Sequence, residues 1–288
     1  MASKDRKNQD FSKPFENHIL RYCCGKSLDE LSKKDIIICL DRLYAEGKRE
    51  SIKRSYSILK NMMSFALHRD YLKQSDILNI NLKILYGQVK PISFRAITDI
   101  FRFKELLLAI ESYQGNIFTK AALQLSPYIF LRSANMRNLK WEEVDFERKR
   151  IILPANKVKG GEEFIVPLSE SAIQILKNIQ FFSGSSSYVF PSDISKSKVI
   201  GENTLLQAIK RLGFGEEMVY HGFRTSASTF LYEYKNIHKY DSEVIELCLD
   251  HRERNRVKAI YNRSLRLDDR TALMQWWSDL IDRLKAEK

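Results

Sequence analysis

The sequence predicts a mainly α protein with a small antiparallel β-hairpin, divided into a helical N-terminal domain and a larger mixed α/β domain. Three observations carry that reading. Apolar residues recur at the spacing of amphipathic helices over most of the chain. Two short runs rich in Ile and Val, Arg150–Pro154 and Glu163–Pro167, alternate instead with the period of a strand. Periodicity lapses around Pro91, within residues 88–97, and the linker is placed there at 91–95.

The elements follow in order. Residues 1–13 are polar and charged, a loose tail, and residues 14–90 form the helical domain. Leu28, Leu31, Ile36, Ile37, Cys39, Leu40 and Leu43 make one apolar stripe, with Ser32 placed to cap the helix that carries its later part. Ser51–Tyr71 repeats the pattern through Ile52, Tyr56, Leu59, Met62, Met63 and Leu67. Around and between those positions stand Lys48, Arg49, Lys53, Arg54 and Lys60, either a solvated face or a phosphate-contacting one. The second domain spans 96–288. Phe101–Ser112 and Phe118–Leu131 read as helices, the latter apolar enough to be buried, and a short helix follows over Ala134–Leu139. The two alternating runs come next, joined by the turn Asn156–Gly161, which holds Lys157 and Lys159. Helical pattern returns over Ser169–Phe181, Thr204–Leu212, His221–Tyr232, Glu243–Cys248, Arg256–Tyr261 and Thr271–Leu284.

Composition narrows the partners. The 288 residues carry a net charge of +12, which favours a polyanion. Residues 1–90 hold 18 Lys/Arg against 11 Asp/Glu, so the surplus is shared between both domains. The four cysteines, Cys23, Cys24, Cys39 and Cys248, have neither metal-ligand nor disulfide spacing and read as reduced thiols. The N-terminus has no apolar core of a signal peptide, and no stretch approaches the roughly 18 apolar residues of a membrane span. A cytoplasmic location without membrane association is expected.

Six residues point to chemistry: Arg132, Lys159, His221, Arg224, His251 and Tyr261. Two arginines hold the non-bridging oxygens of a phosphodiester, two histidines donate to them or move a proton, and a lysine protonates a departing oxygen. A tyrosine attacks phosphorus. The cations themselves neutralise the developing charge, so no metal or other cofactor is called for. Singly, each residue has an ordinary reading: Arg132 a helix cap, Lys159 a solvated turn, His251 beside Asp250 a cap, Tyr261 a half-buried aromatic.

Their surroundings change the odds. LRSANMRNLKWEEVDF at 131–146, NKVKGGEEFIVPLS at 156–169, YHGFRTSASTFLYE at 220–233 and LDHRERNRVKAIYNRS at 249–264 resemble, in order, the four boxes of the tyrosine recombinases, or phage integrases. The last box is most similar to integrases of satellite phages and genomic islands. The resemblance covers about 100–285 and implies a helical core-type DNA-binding domain joined to a tyrosine-recombinase catalytic domain. It implies that Arg132 and Arg224 clamp the scissile phosphate and that His221 and His251 bond it, His221 taking the tyrosine proton. Lys159 becomes the acid on the leaving 5′-oxygen, with Lys157 as a fallback, and Tyr261 the nucleophile of a 3′-phosphotyrosine. The implied partner is double-stranded DNA, gripped also by Lys48, Arg49, Lys53, Arg54, Lys60 and Lys157, with a tetramer on paired sites and DNA-bending accessory proteins. A bacterial or phage setting at the nucleoid follows.

The chain departs from the family at Asn135, where an acidic residue is usual, and at Glu162 and Glu163 in the lysine turn. No room is expected before the helical domain for the arm-binding domain with which many such integrases begin. Two other readings stay open: a type IB topoisomerase with the same cage, and a non-catalytic DNA-binding protein on this scaffold. The C-terminal helix, with Met274, Trp276 and Trp277, suits docking between protomers or an intramolecular core equally.

Overall fold

The computed structural model describes residues 16–23, 25–87, 94–195, 197–251 and 266–287. Tyr261 and the helix expected over Arg256–Tyr261 lie outside the described residues, as do Cys24, the tail 1–13 and most of the linker 91–95. The chain divides into two compact units, Met1–Ile92 and Ser93–Lys288.

In the first unit a π-helical turn, Glu16–Leu20, continues as Arg21–Cys23. Helices α1 (Lys33–Ala45), α2 (Arg49–His68) and α3 (Leu82–Tyr86) follow. Ser32 caps α1 as its sequence position predicts, exchanging hydrogen bonds with Asp35 in a capping box. Ile36, Leu40, Ile52, Leu59 and Met63 close the core. The Tyr56 hydroxyl donates within it to the carbonyls of Ile77 (2.9 Å) and Ile80 (3.0 Å), fastening the 3-10 turn Asp76–Asn79 to α2. Met62, counted with the buried stripe, is 40% exposed. It follows the stripe by about 100° of helical rotation relative to Met63, so only one of the two neighbours faces inward. Cys23, Cys39 and Cys248 are free, buried thiols. Burial is the main cause pushing the Cys39 thiol up to about 12.

The second unit begins with α4 (Ile100–Glu111), α5 (Ile117–Ile129) and α6 (Ser133–Arg137). Strands β1 (Val144–Asp145), β2 (Arg150–Leu153) and β3 (Phe164–Pro167) make an antiparallel sheet in the order β1-β2-β3, with Ile151 opposite Val166. The hairpin is where its alternation predicts. The third strand, β1, was not expected, because two residues are too few to show a period. Helices α7 (Glu170–Ser183), α8 (Thr204–Arg211), α9 (Gly222–Glu233), α10 (Lys235–His238), α11 (Ser242–Cys248) and α12 (Leu267–Ala286) complete the unit.

Helix α12 packs on α4, α5, α7, α11 and β3. Trp277 is fully buried, with its indole N–H on the Pro127 carbonyl (2.8 Å) and its rings among Phe103, Phe130 and Phe230. Met274 is buried too, and Trp276 lies edge-on to His238. Of the two readings of this helix, intramolecular core is the one the packing supports: these side chains are already covered by their own chain. Among the described residues, no helix is long and apolar enough to cross a membrane.

Candidate active site

The site is assembled where helices begin and end, because those are the points at which backbone donors and acceptors lack partners. Helix α9 starts directly after His221 and carries Arg224 one turn in, on the same face. The residue directly after His221 is Gly222 for a steric reason. A Cβ there would lie 2.5 Å from the Arg95 carbonyl and 2.6 Å from the Met218 sulfur. Only glycine lets the start of α9 close against the segment that bears Phe94, whose ring rests on the His221 imidazole with centroids 4.6 Å apart.

Arg224 is 4% exposed. Its two terminal nitrogens donate to the Phe130 and Leu249 carbonyls. Phe130 ends α5 in the left-handed region, φ 48°, and Asp250 follows Leu249 with φ 51°. A non-glycine residue there is strained by about 1–3 kcal/mol, a cost tolerated where surrounding contacts over-determine the backbone. A guanidinium has five N–H donors, and the two carbonyls engage one on each terminal nitrogen. The buried Nε has no hydrogen-bond partner among the described residues. Burial, and then repulsion from Arg132, lower the Arg224 pKa to about 10, with Asp250 acting in the opposite direction.

Arg132 stands at the N-cap of α6, and its Nη1 donates to Asp250 Oδ2. Its side chain keeps 30% exposure, whereas that of Asp250 has 6%. Helix α11 explains the placement. It ends at Leu249, after which His251 N–H bonds the Glu246 carbonyl (2.9 Å) and Asp250 N–H the Leu247 carbonyl (3.3 Å). This is the Schellman ending, with Asp250 in the left-handed position glycine usually takes. The turn sends the Asp250 carboxylate to Arg132 and the His251 ring back to Glu246, Nδ1 to Oε2 being 2.7 Å. Glu246 Oε1 accepts from the Tyr232 hydroxyl at 2.8 Å.

The two histidines have different surroundings. His221 is held below its ordinary pKa by burial first, then by Arg224, Arg132 and His251. A neutral imidazole at neutral pH takes up protons. His251 is exposed and is held by a carboxylate. Arg132, His221, Arg224 and His251 therefore form one electrostatically coupled group.

The lysines separate as well. Lys157 is engaged, its ammonium on the Asn138 carbonyl (2.7 Å) and on Glu143 (2.5 Å), whose side chain is 6% exposed. Lys159 is exposed on the turn that Gly161 closes with φ 72°, and makes no hydrogen bond or ion pair among the described residues. On α2, Lys53, Arg54 and Lys60 are exposed, outside the stripe of the buried Ile52, Tyr56 and Leu59. Lys48 pairs with Glu46 (2.7 Å), and Arg49 lies over the Tyr44 ring at 5.0 Å. Asn135 is buried in α6. Sequence reasoning gave no role to Glu246 or Asp250. The signal available was weak: two acids on the helix end just before His251.

Solved structures share this architecture of helices around a small antiparallel sheet. A lambda integrase dimer bound to a COC′ core site aligns with TM-score 0.66 at 16% identity, over 92% of this chain and 73% of that one. A lambda integrase tetramer bound to a Holliday junction aligns with TM-score 0.67 at 14% identity, over 88% of this chain and 74% of the other. The chain belongs to the phage integrase family, which residues 98–267 match. It is 30% identical to the integrase of Enterobacteria phage P4 over 96% of its own length and 66% of that relative's. It is 28% identical to prophage integrase IntA of Escherichia coli K12, over 88% of its own length and 60% of that relative's. The chain thus spans about two thirds or less of the length of these two relatives.

Proposed function

We propose that this chain is a site-specific DNA recombinase that breaks and rejoins strands through a 3′-phosphotyrosine on Tyr261. The observation that carries the reading is the pairing of a buried Arg224, whose Nε has no hydrogen-bond partner among the described residues, and a partly exposed Arg132, beside a histidine disposed to be neutral. Such a group binds a phosphodiester and accepts a proton beside it. In the reaction the Tyr261 oxygen attacks phosphorus and gives its proton to His221. The bond from phosphorus to the 5′-oxygen breaks, and that oxygen takes a proton from Lys159. Arg132 and Arg224 carry the added negative charge of the pentavalent phosphorus, and His251 bonds a non-bridging oxygen. Each broken phosphodiester is conserved as a protein–DNA ester, so rejoining is the same steps reversed.

Double-stranded DNA is the substrate, held partly through Lys53, Arg54 and Lys60. Four protomers act on two paired sites, as the lambda integrase tetramer on a Holliday junction suggests by its shared fold. The test is a nicked suicide substrate carrying the attachment site. Wild-type protein should accumulate an SDS-resistant adduct on the peptide with Tyr261, and Tyr261→Phe should bind DNA and form none. An adduct retained by Tyr261→Phe, or mapped to Tyr220, Tyr232, Tyr234 or Tyr240, defeats the assignment. Relaxation of supercoils without joining of two duplexes would place the chain with the type IB topoisomerases instead.

A further inference from the structure

His251 is exposed, and among the described residues its ring is held by a carboxylate and not by packing. The side chain is 48% exposed, whereas His221 rests on Phe94 and Arg224 is enclosed. An exposed imidazole turns about two side-chain bonds and exchanges its proton between two nitrogens, so something must choose its orientation and tautomer. Glu246 touches it twice. Its carbonyl takes the His251 backbone N–H at 2.9 Å, and its carboxylate lies 2.7 Å from Nδ1. At neutral pH a glutamate carboxylate only accepts, so Nδ1 must carry the proton. The carboxylate is itself held, because Tyr232 on α9 donates to its other oxygen at 2.8 Å. Tyr232 and Glu246 thus tie the ring on the end of α11 to the helix that carries Arg224.

We infer that Glu246 is a positioning residue, which fixes His251 as the Nδ1–H tautomer and leaves Nε2 as the ring atom offered to the scissile phosphate, with Tyr232 steadying the carboxylate. The inference rests on the phosphate-site reading of His251. Its chemistry is that of a histidine whose working nitrogen is set by the bond its other nitrogen makes. Asp250, the neighbouring acid, is committed to Arg132 and is not the ring's partner. Other charged groups facing the pair are His221 and Arg224, at the start and first turn of α9.

The test has an arm that needs no DNA. Long-range proton–nitrogen NMR of the full chain reads the ring nitrogens directly, with His251 assigned by its loss in His251→Gln. Above neutral pH the wild-type ring should show a protonated Nδ1 and a bare Nε2. Glu246→Ala should move it to the Nε2–H form that a free imidazole prefers, while Glu246→Gln, which keeps an acceptor, should move it less. In the second arm, adduct formation on the suicide substrate should slow by about 10–100-fold in Glu246→Ala, the usual effect of losing such a partner, with DNA affinity kept. An Nε2–H ring in the wild type, or a spectrum unmoved in Glu246→Ala, overturns the inference. A shifted spectrum with an unchanged cleavage rate overturns the positioning role alone. A wild type that forms no adduct overturns the functional reading, and the spectrum still decides the tautomer.

Discussion

Asp250 sets its carboxylate on Nη1 of Arg132 from a left-handed backbone position at the end of α11. The contact uses one of the guanidinium's five N–H donors. Asp250 also offsets the mutual repulsion of Arg132 and Arg224 and faces Arg270, which is buried and bonded to the Ile165 carbonyl. Three arginines around one carboxylate make Asp250 the counter-charge of the group.

Asp250→Asn should therefore loosen the free protein and tighten its grip on anions. Asparagine tolerates the left-handed backbone, so the cap survives and only the charge is lost. Stability should fall by about 1–2 kcal/mol, less than for a fully buried pair because Arg132 keeps part of its hydration. Affinity for duplex DNA at fixed salt should rise severalfold, since the phosphate no longer meets a carboxylate. Urea unfolding and a binding titration check the two signs. Weaker DNA binding would show that Asp250 orients Arg132 more than it repels phosphate.

Lys159 and Lys157 should fail differently. Lys159→Ala removes an exposed ammonium that makes no bond among the described residues, so stability should hold while cleavage falls about 10²–10⁴-fold. A substrate with sulfur at the 5′-bridging position needs no proton on leaving and should restore most of the rate. Lys157→Ala strands the Glu143 carboxylate in its buried site. It should cost about 2–3 kcal/mol of stability, with cleavage per folded molecule little changed. A Lys159→Ala defect that persists on the sulfur substrate would make Lys159 a phosphate clamp and not the acid.

The folding elements were legible because their signals are local. The stripe of α2, the Ser32 capping box and the alternation of β2 and β3 each lie within a few residues of sequence. The pair His221 and Arg224 was legible for the same reason: one helical turn fixes their shared face. Glu246 and Asp250 were not, because their roles depend on how α11 ends. A Schellman cap announces itself by glycine, and here the position is Asp250. The partner of that carboxylate, Arg132, is more than a hundred residues earlier, a distance no periodicity spans. Met274 and Trp277 were ambiguous, since an apolar helix face looks the same whether its own core or another protomer covers it.

The lowered pKa of His221 makes a pH prediction with a definite sign. The unfolded histidine takes a proton as pH falls through about 6.5, while the folded one stays neutral to a lower pH. Within that window the unfolded state binds more protons, so stability should fall as pH is lowered and level off below the folded pKa. His221→Gln should flatten that part of the stability curve. A wild-type and variant difference that is constant from pH 7.5 to 5 would mean His221 titrates as a free imidazole.

The basic face of α2 sets the last prediction. Lys53, Arg54 and Lys60 are exposed and lie outside the buried stripe of α2. Each phosphate contact releases condensed counterions, and the log of affinity falls with the log of salt by about 0.9 per contact. If all three touch phosphate, Lys53→Gln, Arg54→Gln and Lys60→Gln together should reduce the salt slope by about 2–3 and weaken every duplex sequence alike. Specificity should not change, because phosphate contacts position the protein without reading bases. Fluorescence anisotropy on a core-site duplex, repeated across a salt series, gives the slope. An unaltered slope returns these three residues to a merely solvated helix face.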